Sequence, residues 1–431
     1  LYGSWIFHPV LHTLPNLDHP TLRFKTDVET STEKVRGRSF PQPGRALIET
    51  AGNLSLEQGS SLQNVRELWG GLERLALRAF RNYSEAEVEF DRGLNVLHGS
   101  NAQGKTNLLE AVHLLATSRL LRGQRESEAI REGESGTEVQ GVLYGSQSVL
   151  GISLERGARK RASLNGVGLP RASDLLGRMP CVCVSALDLE TIRGEPSERR
   201  LFLDLQLSAL YPAYLRHLAA YRKALEQRNA LLKQAREEAI PGAAFEVWEA
   251  ALAEHGAAIR RYRLQYVELL RPEVARLQAQ MGQGEALETS LATDEAKADS
   301  GALEALLARN RGADVGRGAT STGPHRDDLE LSVGGRSARL FGSQGQQRTA
   351  AISLKLASLG IAREVLGLEP VLLLDDIFSD LDHRRRDILV EIVLERSGQA
   401  ILTCTEPDTA GKRILERSRR FRVSAGTVTP E

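Results

Sequence analysis

One run of eight residues constrains this chain more than any other feature: Gly99-Ser100-Asn101-Ala102-Gln103-Gly104-Lys105-Thr106 fits GxxxxGK[ST] in full. A short apolar strand, Leu94 to Leu97, leads into it. Leu108, Leu109, Val112 and Leu115 then give the next segment one apolar helical face. Glycines at both ends let such a loop curl, so that its backbone N–H groups point inward at phosphate oxygens and the following helix adds its positive end. Lys105 supplies a point charge for the β and γ phosphates, and Thr106 a hydroxyl for Mg²⁺.

A second apolar strand, Val371-Leu372-Leu373-Leu374, ends in Asp375-Asp376. Four consecutive aliphatics read as a fully buried parallel strand, and ligands in open α/β sheets bind beyond the carboxyl ends of the strands. Asp375 is therefore expected to hold Mg²⁺, directly or through water, and Asp376 to orient or deprotonate an attacking water. Asp375 lies 270 residues beyond Lys105, more than a compact kinase or GTPase core requires. A large insertion must separate two halves of one nucleotide fold. The second half contains Phe341-Gly342-Ser343-Gln344-Gly345-Gln346-Gln347-Arg348 and then a helix with Ala350, Leu354, Ala357 and Ile361 on one face. Ser and Gly at a helix N-terminus make a second anion-binding end. A nucleotide has one γ-phosphate, so two such ends suggest a nucleotide sandwiched between two copies of the chain.

The insertion has two textures. Val139 to Leu143, Val149 to Leu154 and Cys181 to Val184 read as strands of a β-rich lobe, with Asn165-Gly166 as a hairpin turn. Between Gly194 and Gly242 there is no glycine, and Tyr214, Leu218, Tyr221, Leu225 and Leu232 form a helical seam. Beyond Pro241-Gly242 the spacing returns with Trp248, Leu252, Ile259, Tyr262, Tyr266 and Leu269, and His255 fills the missing position as a seam residue with a hydrogen-bond partner. Two long helices with a short connection are expected to pack as an antiparallel hairpin.

Composition narrows the function. Lys plus Arg and Asp plus Glu are both 56, so a neutral chain cannot coat nucleic acid by bulk charge; any DNA contact needs local patches. Arg159-Lys160-Arg161 and Arg384-Arg385-Arg386 are two basic clusters open to either reading, phosphate contact or solvated surface. Three cysteines exclude a disulfide framework and a four-thiolate zinc site; Cys181 and Cys183 read as small buried hydrophobes. No apolar run approaches the roughly 20 residues of a membrane helix, which leads us to expect a soluble, cytoplasmic protein in a reducing compartment with no membrane partner. Residues 1–71 are rich in Gly, Pro, Ser and charge without period, as in Arg36 to Gly44, and are expected to be an N-terminal extension from an alternative start, not a domain.

Taken together, Phe80-Arg81-Asn82-Tyr83, the phosphate loop, Gly323-Pro324-His325-Arg326-Asp327-Asp328-Leu329, the SQGQQRT run from Ser343, the LLLDD strand and Ser379-Asp380-Leu381-Asp382 resemble ABC-type ATPase heads of the SMC kind. More narrowly, in this order over roughly 72–431, they resemble the RecF family of bacterial recombination mediators. The resemblance implies an α/β fold: an ABC-type P-loop ATPase head with a β-rich lobe and an inserted helical hairpin domain. It divides the chain into 72–198 (first half of the head and β lobe), 199–312 (helical arm) and 313–431 (second half).

It further implies ATP and Mg²⁺ as cofactors, slow hydrolysis by an ATP-dependent homodimer, and binding to junctions of double-stranded and single-stranded DNA. RecR and RecO would be partners, and RecA indirectly, in gap repair. Lys105, Asp375, Asp376 and Ser343 would serve catalysis; Gly99 to Thr106, Arg81, Asn82, Gly345 and Gln346 would bind nucleotide; Thr106 and Asp375 would hold the metal. Two departures from the wider ABC pattern stand out. Asp376 replaces the usual glutamate, and the strand Ile401-Leu402 leads to Thr403-Cys404-Thr405 where a switch histidine is expected, so a threonine is the candidate phosphate sensor. The competing readings are a stand-alone P-loop kinase with a helical lid, which needs no signature run, and a structural SMC-like tether, for whose arms the stretch from Glu195 to Asn310 is too short.

Overall fold

The computed structural model describes residues 71–122, 125–282 and 285–431, so the expectation for the N-terminal extension falls outside the described residues except at Gly71. In chain order the strands are β1 (Leu72–Phe80), β2 (Tyr83–Glu89), β3 (Leu94–His98), β4 (Gly136–Leu143), β5 (Val149–Glu155), β6 (Arg161–Leu164), β7 (Val167–Gly168), β8 (Cys181–Ser185), β9 (Leu287–Ala292), β10 (Asp328–Val333), β11 (Arg336–Ser337), β12 (Val371–Asp375), β13 (Gln399–Cys404), β14 (Ser418–Ser424) and β15 (Thr427–Pro430). The main helices are α1 (Lys105–Thr117), α2 (Pro196–Leu210), α3 (Pro212–Gln234), α4 (Gly242–Met281), α5 (Ser300–Arg317), α6 (Gln344–Leu366) and α7 (His383–Arg396).

Two six-stranded sheets sandwich α1. The first runs β2-β1-β4-β5-β6-β7 and is antiparallel throughout; the second runs β15-β14-β3-β13-β12-β8 and is parallel except for β15. Alternation along β12 explains the middle layer. Leu373 joins Leu97, Ile401 and the α1 residues Leu108 and Val112 in the core beneath the antiparallel sheet, while Leu372 and Leu374 pack with α6 on the other side. All four aliphatics of β12 are fully buried, as a strand covered on both faces must be.

Local pattern groups Cys181 to Val184 with the β lobe, but the structure differs. β8 pairs in parallel with β12, Val371 opposite Cys181 and Asp375 opposite Ser185, because its two faces are apolar and fit the doubly covered sheet. The turn at Asn165-Gly166 has both residues at positive φ, 52° and 78°, which is the geometry that pair favours in a two-residue hairpin.

α3 and α4 form the helical hairpin along the seams read from sequence, with Tyr214, Leu218, Tyr221, Leu252, Ile259 and Tyr266 buried. His255 does find a partner: its Nδ1 lies 3.2 Å from Nδ1 of His217. α4 runs on for 40 residues through Pro272, past the hairpin and into the head, where Gln278 accepts a hydrogen bond from Ser353 of α6 at 3.1 Å. No described helix is long and apolar enough to cross a membrane.

Candidate nucleotide site

The loop between β3 and α1 is shaped by its two glycines. Gly99 has φ 147°, and a Cβ there would run into the carbonyl of Val423; at Gly104, φ 114°, a Cβ would lie 2.6 Å from Asn82 Nδ2 and 2.9 Å from the Tyr83 hydroxyl. Neither position tolerates a side chain, which keeps backbone N–H groups at the concave surface. Asn82 Nδ2 donates to the Gln103 carbonyl at 3.0 Å and Tyr83 Oη to the Gly104 carbonyl at 3.0 Å, so the FRNY turn braces the loop from behind. Ala102, at φ 63°, completes the curl.

Lys105 folds back over the loop and donates to the carbonyls of Gly99 (2.5 Å) and Ser100 (2.9 Å). Burial pushes its pKa down, and the nearby Asp376, Cys404 and Asp375 pull it up in turn. Thr106 donates its hydroxyl to Asp375 Oδ1 at 2.9 Å, joining residues 269 apart in sequence. Strand order makes this possible: β13 lies between β3 and β12, and Leu97, Thr403 and Asp375 sit in one row at the carboxyl edge. Thr403 donates to the same Asp375 oxygen at 2.8 Å and accepts from the Asp376 N–H at 2.9 Å. Burial holds the Asp375 carboxyl above the usual carboxylate range, opposed by hydrogen bonds from Thr403 and Thr106. Asp376 takes φ 50°, and its Oδ1 is buried without a hydrogen-bond partner.

These features suit a nucleoside triphosphate with a divalent cation. An open cleft lined by Gly99, Ser100 and Gln103 adjoins the loop, a hydroxyl and a carboxylate converge as hard oxygen ligands, and the orphaned Asp376 oxygen lacks the donor that a water would supply.

Other residues singled out in the sequence lie elsewhere or do other work. Arg81 pairs in a fork with Glu110 of α1 (2.8 and 3.0 Å) and donates to the Glu128 and Arg122 carbonyls; with Asn82, Asn107 and Arg122 it walls an open cleft of about 940 Å³ beside α1. Ser343 is the N-cap of α6. Its hydroxyl accepts from Gln346 N at 3.2 Å, Gln346 Oε1 accepts from Ser343 N at 2.7 Å, and Gln346 Nε2 donates to Glu285. Within one chain the hydrogen bonds described for Ser343 and Gln346 do not reach the phosphate loop, and Gly345 faces Arg385. Ser379 donates to the Asp376 carbonyl at 2.8 Å.

Four of the six side chains in the two basic clusters have partners within the chain, in part at the surface. Lys160 holds the Ser118 carbonyl and Glu126, and Arg161 pairs with Glu155; Arg385 bonds Asp382 and Arg386 the Phe378 carbonyl. The GPHRDD run lies in the seam between arm and head: His325 bonds Tyr221 and Thr320, Asp327 bonds Arg260, and Asp328 bonds Arg199. Sequence reading passed over Arg122, whose charge acts on Asp375 and whose guanidinium donates to Asn107 at 2.7 Å. It lies in a loop without periodicity, and only the fold brings it to the site.

Residues 74–163 match the family described as an AAA domain. A DNA replication and repair protein RecF from Symbiobacterium thermophilum is 40% identical over 369 residues, covering 83% of this chain and 97% of its own. The chain belongs to the RecF family. A RecF of the same description from a Synechococcus strain is 39% identical over 373 residues, with the same shares of 83% and 97%. Among solved structures, a recombination mediator RecF with ATP, of the RecFOR pathway, superposes with a TM-score of 0.76 at 33% identity, over 84% of this chain and 97% of that one. An Smc head with an extended coiled coil from Pyrococcus furiosus superposes at 0.51 and 16% identity over 84% of this chain and 95% of that one, a likeness of fold alone. The ABC-type head expected from the motifs is thus the fold of this chain.

Proposed function

We propose that this RecF-family chain is an ATP-dependent recombination mediator: it binds ATP with Mg²⁺, dimerises on it, hydrolyses it slowly, binds DNA at junctions of duplex and single strand, and works with RecR and RecO in supporting RecA. The observation that carries the ATPase part is the meeting of Thr106, Asp375, Thr403 and Asp376 at the mouth of the phosphate loop. The RecF solved with ATP supports the choice of nucleotide.

In this reading, loop residues Gly99 to Thr106 wrap the phosphates, and Lys105 exchanges its two carbonyl partners for phosphate oxygens. Thr106 and Asp375 would hold Mg²⁺, which when bound would supply positive charge to offset that of the phosphates. Asp376 orients or deprotonates the attacking water with the carboxylate whose oxygen is otherwise unpartnered. Arg81 and Asn82 act mainly by bracing the loop and walling the adjoining cleft. Ser343, Gly345 and Gln346, pre-formed as a helix N-terminus, serve the nucleotide of a second copy.

DNA contact is assigned to the C-terminal ribbon in place of the clusters at 159–161 and 384–386. Arg417, Arg419, Arg420 and Arg422 crowd the start of the β14–β15 ribbon, while Lys412 and Arg413 just before it pair with Glu416 and Glu391. Arg420 and Arg422 alternate on one exposed face of β14, opposite the buried Phe421 and Val423. Such a stripe can track a phosphate backbone.

Light scattering with and without ATP and Mg²⁺ tests the dimer. The mass is expected to double with nucleotide and to stay monomeric for Lys105→Ala, which loses the cation of the loop. A mass unmoved by ATP at concentrations that saturate binding would favour the single-chain kinase reading.

A further inference from the structure

We propose that Thr403 is the positioning residue for the Asp375-Asp376 pair, acting through those carboxylates and not as a contact to the phosphate; this rests on the reading of the site as an ATPase. The threonine stands at the end of β13, the strand wedged between the loop strand β3 and the carboxylate strand β12, and is only 1% exposed. A hydroxyl has one proton and two lone pairs. Here the proton goes to Asp375 Oδ1 at 2.8 Å, and a lone pair accepts from the Asp376 N–H at 2.9 Å. The group that sequence order would cast as a phosphate sensor is therefore already engaged with both aspartates.

What the two bonds achieve follows from the backbone. Asp376 sits at φ 50°, a left-handed conformation that an aspartate adopts only with help from its surroundings. The N–H that opens this residue is the one tied to Thr403, and the Ser379 hydroxyl grips its carbonyl at 2.8 Å. Clamped at both ends, the residue holds a carboxylate whose Oδ1 is buried with no protein donor. An acceptor held in that way is ready for a water hydrogen. Meanwhile Thr403, at the end of β13, and Thr106, in the first turn of α1, approach the same oxygen of Asp375, fixing the rotamer of the metal-side carboxylate before nucleotide arrives.

Valine at 403 preserves shape but leaves the Asp376 N–H without its acceptor; serine keeps the hydroxyl. For Thr403→Val, kcat should fall about 10²-fold or more, in the range of a misplaced general base, with KM and ATP affinity changed less than about threefold. Thr403→Ser should recover most of the rate. In an Asp376→Asn background, Thr403→Val should cost less than it does alone, since one of the two carboxylates it positions is already lost and only its hold on Asp375 remains. Hydrogen exchange on the nucleotide-free protein gives a readout independent of turnover: the Asp376 amide should be protected in the parent and in Thr403→Ser, and exposed in Thr403→Val.

An unchanged kcat in Thr403→Val, or a Thr403→Ser variant as slow as the valine one, would overturn the role. So would a rise in KM with kcat intact, the mark of a ground-state phosphate contact. If the parent hydrolyses no ATP at all, the ATPase reading fails and this role falls with it; if the parent turns over and only the Thr403 variants behave otherwise than stated, the reading stands and the inference alone is lost.

Discussion

His325 can be given a definite tautomer from its partners. The Thr320 carbonyl, 3.0 Å from Nε2, can only accept, so Nε2 carries the proton and Nδ1 accepts from the Tyr221 hydroxyl at 2.6 Å. Burial, reinforced by the charges of Arg326, Arg200 and Arg260, pushes its pKa down to about 4 from the ordinary 6.5. The sign of the linkage follows. Above the unfolded value both states are neutral at this site and its contribution to stability is complete; as pH falls from about 6.5 toward about 4 the unfolded chain takes up a proton that the folded one refuses, and stability is lost. His113, also held down to about 4 by burial, adds to the same loss. The unfolding free energy, read from urea titrations, is expected to fall between pH 7 and pH 5 by about 2 kcal/mol per histidine at most. In His325→Gln that pH slope should be visibly shallower; an identical slope would place the titrating group elsewhere.

At the scale of elements, α6 is the informative one. Its N-cap box of Ser343 and Gln346 is formed within the single chain, and its body is tied to α4 through Ser353 and Gln278 and to the turn after β8 by the Lys355–Asp188 pair at 2.8 Å. An anion-binding end so firmly built, where Ser343 and Gln346 bond each other and Gln346 bonds Glu285, is suited to a ligand presented by another chain. Ser343→Arg should leave ATP binding within about threefold while dimerisation, hydrolysis and ATP-dependent DNA binding fail together, because all three require the closed pair. Mixed with Lys105→Met protein, it forms dimers in which one composite site carries both lesions and the other none. Partial return of hydrolysis in the mixture is the expected result, and full activity of Ser343→Arg alone would refute a signature acting across the dimer.

For the whole molecule, charge sets the terms of DNA binding. A net charge of zero cannot hold a polyanion, so affinity must come from a few arginines that displace counterions. Replacing Arg420 and Arg422 together by Glu should weaken DNA binding at 0.1 M salt by tenfold or more and reduce the slope of log affinity against log salt by about 2, one unit for each phosphate contact removed. Arg422 also lines the cleft with Gly99, Ser100 and Gln103, so Arg420→Glu alone is the control: it should leave ATP binding and the ATP-dependent mass unchanged while lowering the slope by about 1. If the slope survives intact, the ribbon is not the surface and the DNA lies on another face.

Much of this protein was legible along the chain because the signals are local. GxxxxGKT between an apolar strand and an amphipathic helix, four aliphatics ending in two aspartates, and seam residues at helical spacing each follow from neighbours a few positions apart, and the structure holds β3, α1, β12, α3 and α4 where those patterns lie. What the chain alone could not decide is everything that depends on strand order. Whether β8 belongs to the lobe or to the parallel sheet, and whether Thr403 faces a phosphate or a pair of carboxylates, are settled by which strand lies between which. That order comes from burying two apolar faces at once between α1 and the helical layer. The same holds for the charges: the basic residues of 159–161 and 384–386 look as free in sequence as those of 417–422, and only folding, by bringing Glu126 to Lys160, Glu155 to Arg161 and the Phe378 carbonyl to Arg386, gives these residues partners and leaves Arg420 and Arg422 facing outward.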